Sequence, residues 1–248
     1  TSATCVTGLI RVDTGTHWAM FGQVVILLLI QIGGLGFMTI ACLFFFALRR
    51  KIGLRERMVL AQALGSDSYS GIVSLVRNIL RGTAAVEGAG ALILFFRFLP
   101  EFGFGKALWY GVFHSISAFC NAGFDLLGTP DDPFPSLTAF RTDPLLVITA
   151  ALLILIGGIG FLTWEDVKTH RRKLRRYRLQ SKLILTVSAV LIVTPTLFYF
   201  CFEFTSGTVG QRLLDAFFQA VTPRTAGFNT ADLTAMSESG QTIITMLM

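Results

Sequence analysis

The sequence predicts an all-α polytopic membrane protein built from internal repeats. Three observations carry this. The 248 residues are 53% hydrophobic and only 15% charged, with a mean hydropathy of +0.65 and 23 Phe, more apolar surface than a soluble domain hides. Basic residues concentrate directly after apolar runs, the positive-inside pattern. Glycine-centred motifs recur along the chain, and self-similarity of that kind decides an architecture. Ordinary soluble enzymes, disordered chains and collagen-like repeats are disfavoured.

The elements follow in order. Residues 20–48 form the first span, broken only by Gln23, Gln31 and Thr39; at 1.5 Å per residue it reaches roughly 43 Å and must tilt or project beyond a ~30 Å hydrocarbon core. Residues 52–82 read as a cytoplasmic connection with short helical pieces, amphipathic over 71–81. Residues 83–99 form a shorter second span holding Glu87 and ending near Arg97 and Pro100. Residues 106–119 are too short and polar to cross, with His114, Ser115 and Ser117, and suggest a re-entrant helix. Residues 145–164 and 183–204 form the third and fourth spans, the latter with a kink expected at Pro195. Residues 211–221 form a second sub-span helix, and another apolar run opens at Gln241. The chain begins on Thr1 and its last apolar run, 242–248, stops abruptly, so the expectation is a fragment of a longer protein.

The net charge of +6 resolves into two loops. Arg49, Arg50, Lys51, Arg55 and Arg57, with Glu56, contribute +4; Lys168, Arg171, Arg172, Lys173, Arg175, Arg176, Arg178 and Lys182 contribute +8; the remainder is −6. Both loops are therefore expected in the cytoplasm, with Asp13, the acids of 125–143 and Asp232 outside. Nucleic-acid binding wants aromatics interleaved with the cations, and Tyr177 alone does not supply them. The four Cys (5, 42, 120 and 201) form no C-x-x-C pair, so neither a zinc site nor a disulfide framework is expected; Cys42 and Cys201 read as small apolar filler.

Two families of repeats stand out. Gly33-Gly34-Leu35-Gly36-Phe37-Met38-Thr39 matches Gly157-Gly158-Ile159-Gly160-Phe161-Leu162-Thr163, identical at five of seven positions; these glycines are expected to permit close helix packing. Residues 113–124 align with 217–228, each ending in Ala-Gly-Phe, and Thr7-Gly8-Leu9 fits the same slot. Non-helical backbone at membrane depth is tolerated only where it lines a cavity. Its carbonyls are then free to replace an ion's hydration shell, and glycine lets successive carbonyls point one way. The C-terminal ends of the short helices favour positive charge. These residues therefore point to a bare monovalent cation.

With those motifs in view, residues 2–16 (SATCVTGLIRVDTGT), 31–39 (QIGGLGFMT), 113–124 (FHSISAFCNAGF) and 219–229 (QAVTPRTAGFN) resemble the membrane subunit of Ktr-type potassium uptake systems, in the Trk/Ktr/HKT superfamily. The resemblance implies a pseudo-fourfold arrangement of helix–pore loop–helix repeats. It assigns filter positions to Val6, Thr7 and Gly8; Asn121, Ala122 and Gly123; and Thr225, Ala226 and Gly227. Cys5 stands where such proteins often have Thr. The fourth filter and a gating loop would lie past Met248. The implied division is 1–48 for filter 1 and its second helix, 49–82 for a cytoplasmic connection, 83–164 for repeat 2, 165–182 for a basic cytoplasmic loop and 183–248 for repeat 3. The resemblance also implies a multi-pass protein of the bacterial plasma membrane that carries K+, with Na+ as a coupling or activating ion. No bound cofactor is implied. The implied partners are a second copy and a cytosolic, nucleotide-binding RCK-type ring, for which the basic loops offer a docking surface; anionic lipid is an equal candidate for those loops.

Several residues remain open on sequence alone. Glu87 and Arg97 are either functional or structurally paired, or Arg97 lies at the interface. His114 is expected to make a structural hydrogen bond rather than relay protons. Arg224 either tunes ion passage or bonds backbone carbonyls. A secondary transporter of another cation or a small solute also uses broken helices. An intramembrane enzyme is disfavoured, since no nucleophile–base pair or H-E-x-x-H pattern is present.

Overall fold

The computed structural model describes residues 1–36, 72–130, 134–171, 173–231 and 233–248, with residues 53, 58, 59, 62 and 132 between them. Its longer elements are α-helices: α1 (Ser2–Cys5), α2 (Thr14–His17), α3 (Met20–Leu35), α4 (Ile72–Phe119), α5 (Pro144–Gly158), α6 (Phe161–His170), α7 (Leu179–Phe198), α8 (Val209–Val221) and α9 (Glu238–Leu247). Among the described residues, two helical stretches are long and apolar enough to cross a membrane, Val73–Phe119 and Leu179–Glu203, and a third span results if α5 and α6 count as one. Exposed Leu145, Ile148 and Leu152 form an apolar stripe on α5 at helical spacing, the surface of a membrane helix rather than of a soluble one.

One supersecondary unit appears twice: a long helix, a reversal, a short returning helix and a glycine loop. In α4 the reversal falls at Gly103, whose backbone is non-helical (φ 71°, ψ 170°). Gly111 lies against the backbone of Ala91 and Phe95, and Ser115 Oγ donates to the Glu87 carbonyl at 2.7 Å. The limb 104–119 therefore runs back along 72–102, as expected of a helix too short to span. In the second unit Arg212 bonds the Phe200 carbonyl (2.9 Å) and Arg224 bonds Ser188 Oγ (3.0 Å), so α8 returns along α7. A capping box between Thr208 and Gln211 starts α8, satisfying otherwise orphaned N–H groups. Asp143 caps α5 through Leu145 and Leu146 N–H, with Pro144 at the first position.

Three expectations need correction. The helix of the second span begins at Ile72, eleven residues before its apolar run, because amphipathic 72–82 continues the same helix. The third span does not run straight to Trp164: Gly160 takes φ 82°, and α5 and α6 meet at 95°. Cys201 faces outward on a π-turn (Tyr199–Glu203) that follows Pro195, so it fills no core. Pro195 itself is accommodated inside α7. Of the first span, expected over 20–48, the described part is α3, a shorter apolar helix ended by Gly36 at φ 80°; residues 37–48, Cys42 among them, and the basic residues Arg49, Arg50, Lys51, Arg55 and Arg57 lie outside the described residues.

Candidate functional site

The three predicted glycine loops are brought together. Each closes a short helix, and each glycine takes nearly the same left-handed backbone: φ is 72° at Gly8, 68° at Gly123 and 73° at Gly227. A Cβ built on Gly8 would stand 2.7 Å from the Ala122 carbonyl oxygen, and one on Gly123 would stand 2.4 Å from the Ala226 carbonyl oxygen. Gly227 approaches Gly123 Cα at 3.9 Å by the same measure. Loop 2 thus lies between loops 1 and 3, and only a residue without Cβ fits where neighbouring backbones meet.

The lead-in to each glycine follows from its residues. In loop 1, Val6 is left-handed (φ 54°), and Thr7 N–H returns to the Ser2 carbonyl at 3.1 Å. In loop 2, Asn121 is left-handed (φ 58°), and Ala122 N–H returns to Ser117 O at 2.8 Å. Both are helix C-caps of the Schellman type. Asn tolerates that conformation; β-branched Val6 there is an outlier of the sort that marks functional backbone. Loop 3 has a 3-10 turn, Thr222–Arg224, and the Thr222 carbonyl accepts from both Ala226 (3.0 Å) and Gly227 (3.3 Å).

Hydroxyl groups brace the loops from behind, a role the sequence reasoning missed. Ser117 Oγ donates to the Phe124 carbonyl (2.7 Å) and Thr222 Oγ1 to the Phe228 carbonyl (2.5 Å). Ser2 at the matching place shares a hydrogen bond with Thr7 Oγ1 instead, at 3.1 Å. The available signal was a Ser or Thr five or six residues before each loop glycine. The Gly-Gly pairs back the same loops. Gly33 lies against the Thr4 carbonyl, Gly34 against Cys120 and Gly157 against the Phe119 carbonyl. Gly36 and Gly160, by contrast, face open space and end their helices at positive φ.

The charged and polar residues left open by sequence have partners. Both Glu87 carboxylate oxygens accept from Gln31 Nε2 at 3.1 Å. Arg97 pairs with Asp143 and with Glu101, the latter at 2.8 Å. His114 meets the Tyr110 carbonyl through Nδ1 (2.8 Å), and Leu126 N–H points at its Nε2 (3.5 Å). That arrangement places the proton on Nδ1 of a neutral ring, the structural bond expected. Arg224 bonds Ser188 rather than a loop carbonyl. Just outside loop 2, Asp125 is buried, and burial pushes its carboxyl up to about 6, partly countered by the Leu127 N–H.

Comparison with known proteins identifies this geometry's family. The family model described as TrkH, cation transport protein, matches residues 1–248. The chain belongs to the TrkH family. It is 43% identical to the Ktr system potassium uptake protein B of Bacillus subtilis, over all of this chain and 55% of that protein. It is 41% identical to the potassium/sodium uptake protein NtpJ of Enterococcus hirae, over all of this chain and 54% of that protein. The Vibrio alginolyticus Ktr system potassium uptake protein B is 36% identical, again over the whole chain and 55% of its own length. The TrkH chain here thus spans about half the length of the curated relatives it matches. The resemblance to Ktr-type membrane subunits holds from end to end of this chain, TrkH is a family of cation transport proteins, and the long apolar helices of this chain fit a membrane protein.

Proposed function

We propose that this chain supplies three of the four filter segments of a pseudo-fourfold pore for K+ uptake across a bacterial plasma membrane. It does so as the multi-pass subunit of a regulated transport system. The observation that carries the reading is the meeting of three glycine loops, each at the C-terminal end of a short helix, two of which return along a longer one. In the proposed pore, backbone oxygens around Val6, Thr7 and Gly8, Asn121, Ala122 and Gly123, and Thr225, Ala226 and Gly227 replace the hydration shell of K+. The C-terminal dipoles of the limb 104–119 and of α8 add negative potential at the loops. Residues 1–48, 83–164 and 183–248 act as successive repeats, joined by cytoplasmic segments 49–82 and 165–182.

Names of relatives support the finer parts. One is called a potassium/sodium uptake protein, in keeping with Na+ as a coupling or activating ion. Two are called components of a Ktr system, in keeping with a multi-component assembly; in this reading the partners are a second copy and a nucleotide-binding RCK-type ring at the basic loops. The test is rubidium and sodium uptake by the full-length protein in cells lacking other potassium transport. Gly123→Val is expected to abolish preference for potassium-like ions while the protein still reaches the membrane. Unchanged preference would remove the filter assignment.

A further inference from the structure

A cavity of about 870 Å³ lies between the start of α4 and the α5–α6 bend, and no glycine-loop residue lines it. Its size is that of a small-molecule site, roughly 300–1,000 Å³. Leu75, Ile79, Val86, Ile156 and Trp164 make much of it apolar, and Arg81 and Lys168 also line it. Two features shape it. The 95° bend at Gly160 swings α6 away from the line of α5. Trp164 is then held as a wall: its indole N–H bonds the Ile156 carbonyl at 2.9 Å, and its ring lies against the place where Gly82 lacks a side chain.

Among the described residues, neither Arg81 nor Lys168 has an ion-pair partner. Glu165, the acid in the lining, pairs with Arg178 at 3.2 Å. The cavity therefore offers two such cations within a largely apolar lining, and Lys168 opens the basic loop. Positive-inside logic puts that loop at the cytoplasmic surface, where anionic headgroups are found.

We infer that this cavity binds one anionic phospholipid, its phosphate held by Arg81 and Lys168 and an acyl chain laid along Ile79, Val86 and Ile156. A guanidinium fork suits a phosphate, and the apolar lining suits the chain. The occupant is tested with the full-length protein purified in mild detergent, by native mass spectrometry with added phosphatidylglycerol or phosphatidylcholine. The expected result is one retained phosphatidylglycerol per chain, favoured over phosphatidylcholine by about tenfold or more, as two surface cations supply. Arg81→Gln with Lys168→Gln removes that preference; Arg175→Gln with Arg176→Gln, equal in charge but outside the cavity, keeps it. Val86→Phe, which narrows the apolar lining without touching charge, also lowers retention. Equal retention of the two lipids, equal loss in both double variants, or no retained lipid because another segment or a second copy closes the cavity, each overturns the inference.

Discussion

Loops 2 and 3 share Ala-Gly-Phe and reach the same glycine conformation, but they arrive by different routes. In loop 2 a left-handed Asn121 closes a Schellman cap. In loop 3 there is one residue fewer between the bracing hydroxyl and the glycine. Pro223 fixes its own φ and offers no N–H, so the helix tightens into a 3-10 turn and Thr225 stays extended at φ 165°. The surroundings differ too: a Cβ on Gly123 meets a backbone carbonyl at 2.4 Å, whereas one on Gly227 finds nothing nearer than 3.9 Å. The shared glycine geometry is what the two routes preserve, and in the proposed filter it is the glycines, not the residues leading to them, that matter.

The sharpest way to break that comparison is to put a methyl on each glycine. Gly123→Ala must shift backbone as well as strain φ, and is expected to cut potassium uptake by at least a hundredfold. Gly227→Ala meets only the left-handed penalty of roughly 1–2 kcal/mol and is expected to cut it about tenfold. Equal effects in uptake assays of the full-length protein would mean that loop 2 is not the crowded centre.

A smaller effect is expected from the braces. Ser117→Ala and Thr222→Val each leave a buried carbonyl without its donor, which costs about 1–3 kcal/mol. Thermal unfolding of the detergent-solubilised protein should show both variants melting earlier, with Thr222→Ser close to wild type. An unchanged melting temperature in Ser117→Ala would remove the brace from loop 2 while leaving that of loop 3.

The smallest effect concerns Asp125, which flanks loop 2 and has no counterpart in loop 3, where Asn229 follows Phe228. Its folded pKa of about 6 exceeds the ordinary 3.8. Its contribution to stability is thus full below about 3.8 and is lost as pH rises through 6. Its negative charge, which in the proposed pore stands at the outer mouth, follows the opposite course, fading as pH falls through 6. Half-saturating potassium for uptake should rise about twofold from pH 7 to pH 5 through this weakened field, and Asp125→Asn should flatten that dependence.

Much of this was legible in the sequence because the repeats are written in glycine. The Ala-Gly-Phe loops, the returning helices and the close-packing Gly-Gly pairs all sat where their patterns put them. The third glycine of each triplet was not legible: Gly36 and Gly160 share the triplets with packing glycines, and composition does not distinguish a glycine needed for closeness from one needed for positive φ. Hydropathy also misplaced the start of α4, because residues 72–82 are helical without being apolar throughout. Ser117 and Thr222 went unnoticed since a hydroxyl at a helix end is common, and only the fold shows which carbonyl it meets.

The most direct measurement is an ion map of the full-length protein soaked with thallium or rubidium. The account predicts density on an axis shared by Gly8, Gly123 and Gly227, within roughly 3 Å of main-chain oxygens from all three loops. Density bound instead to side-chain carboxylates elsewhere, with the glycine loops empty, would contradict it.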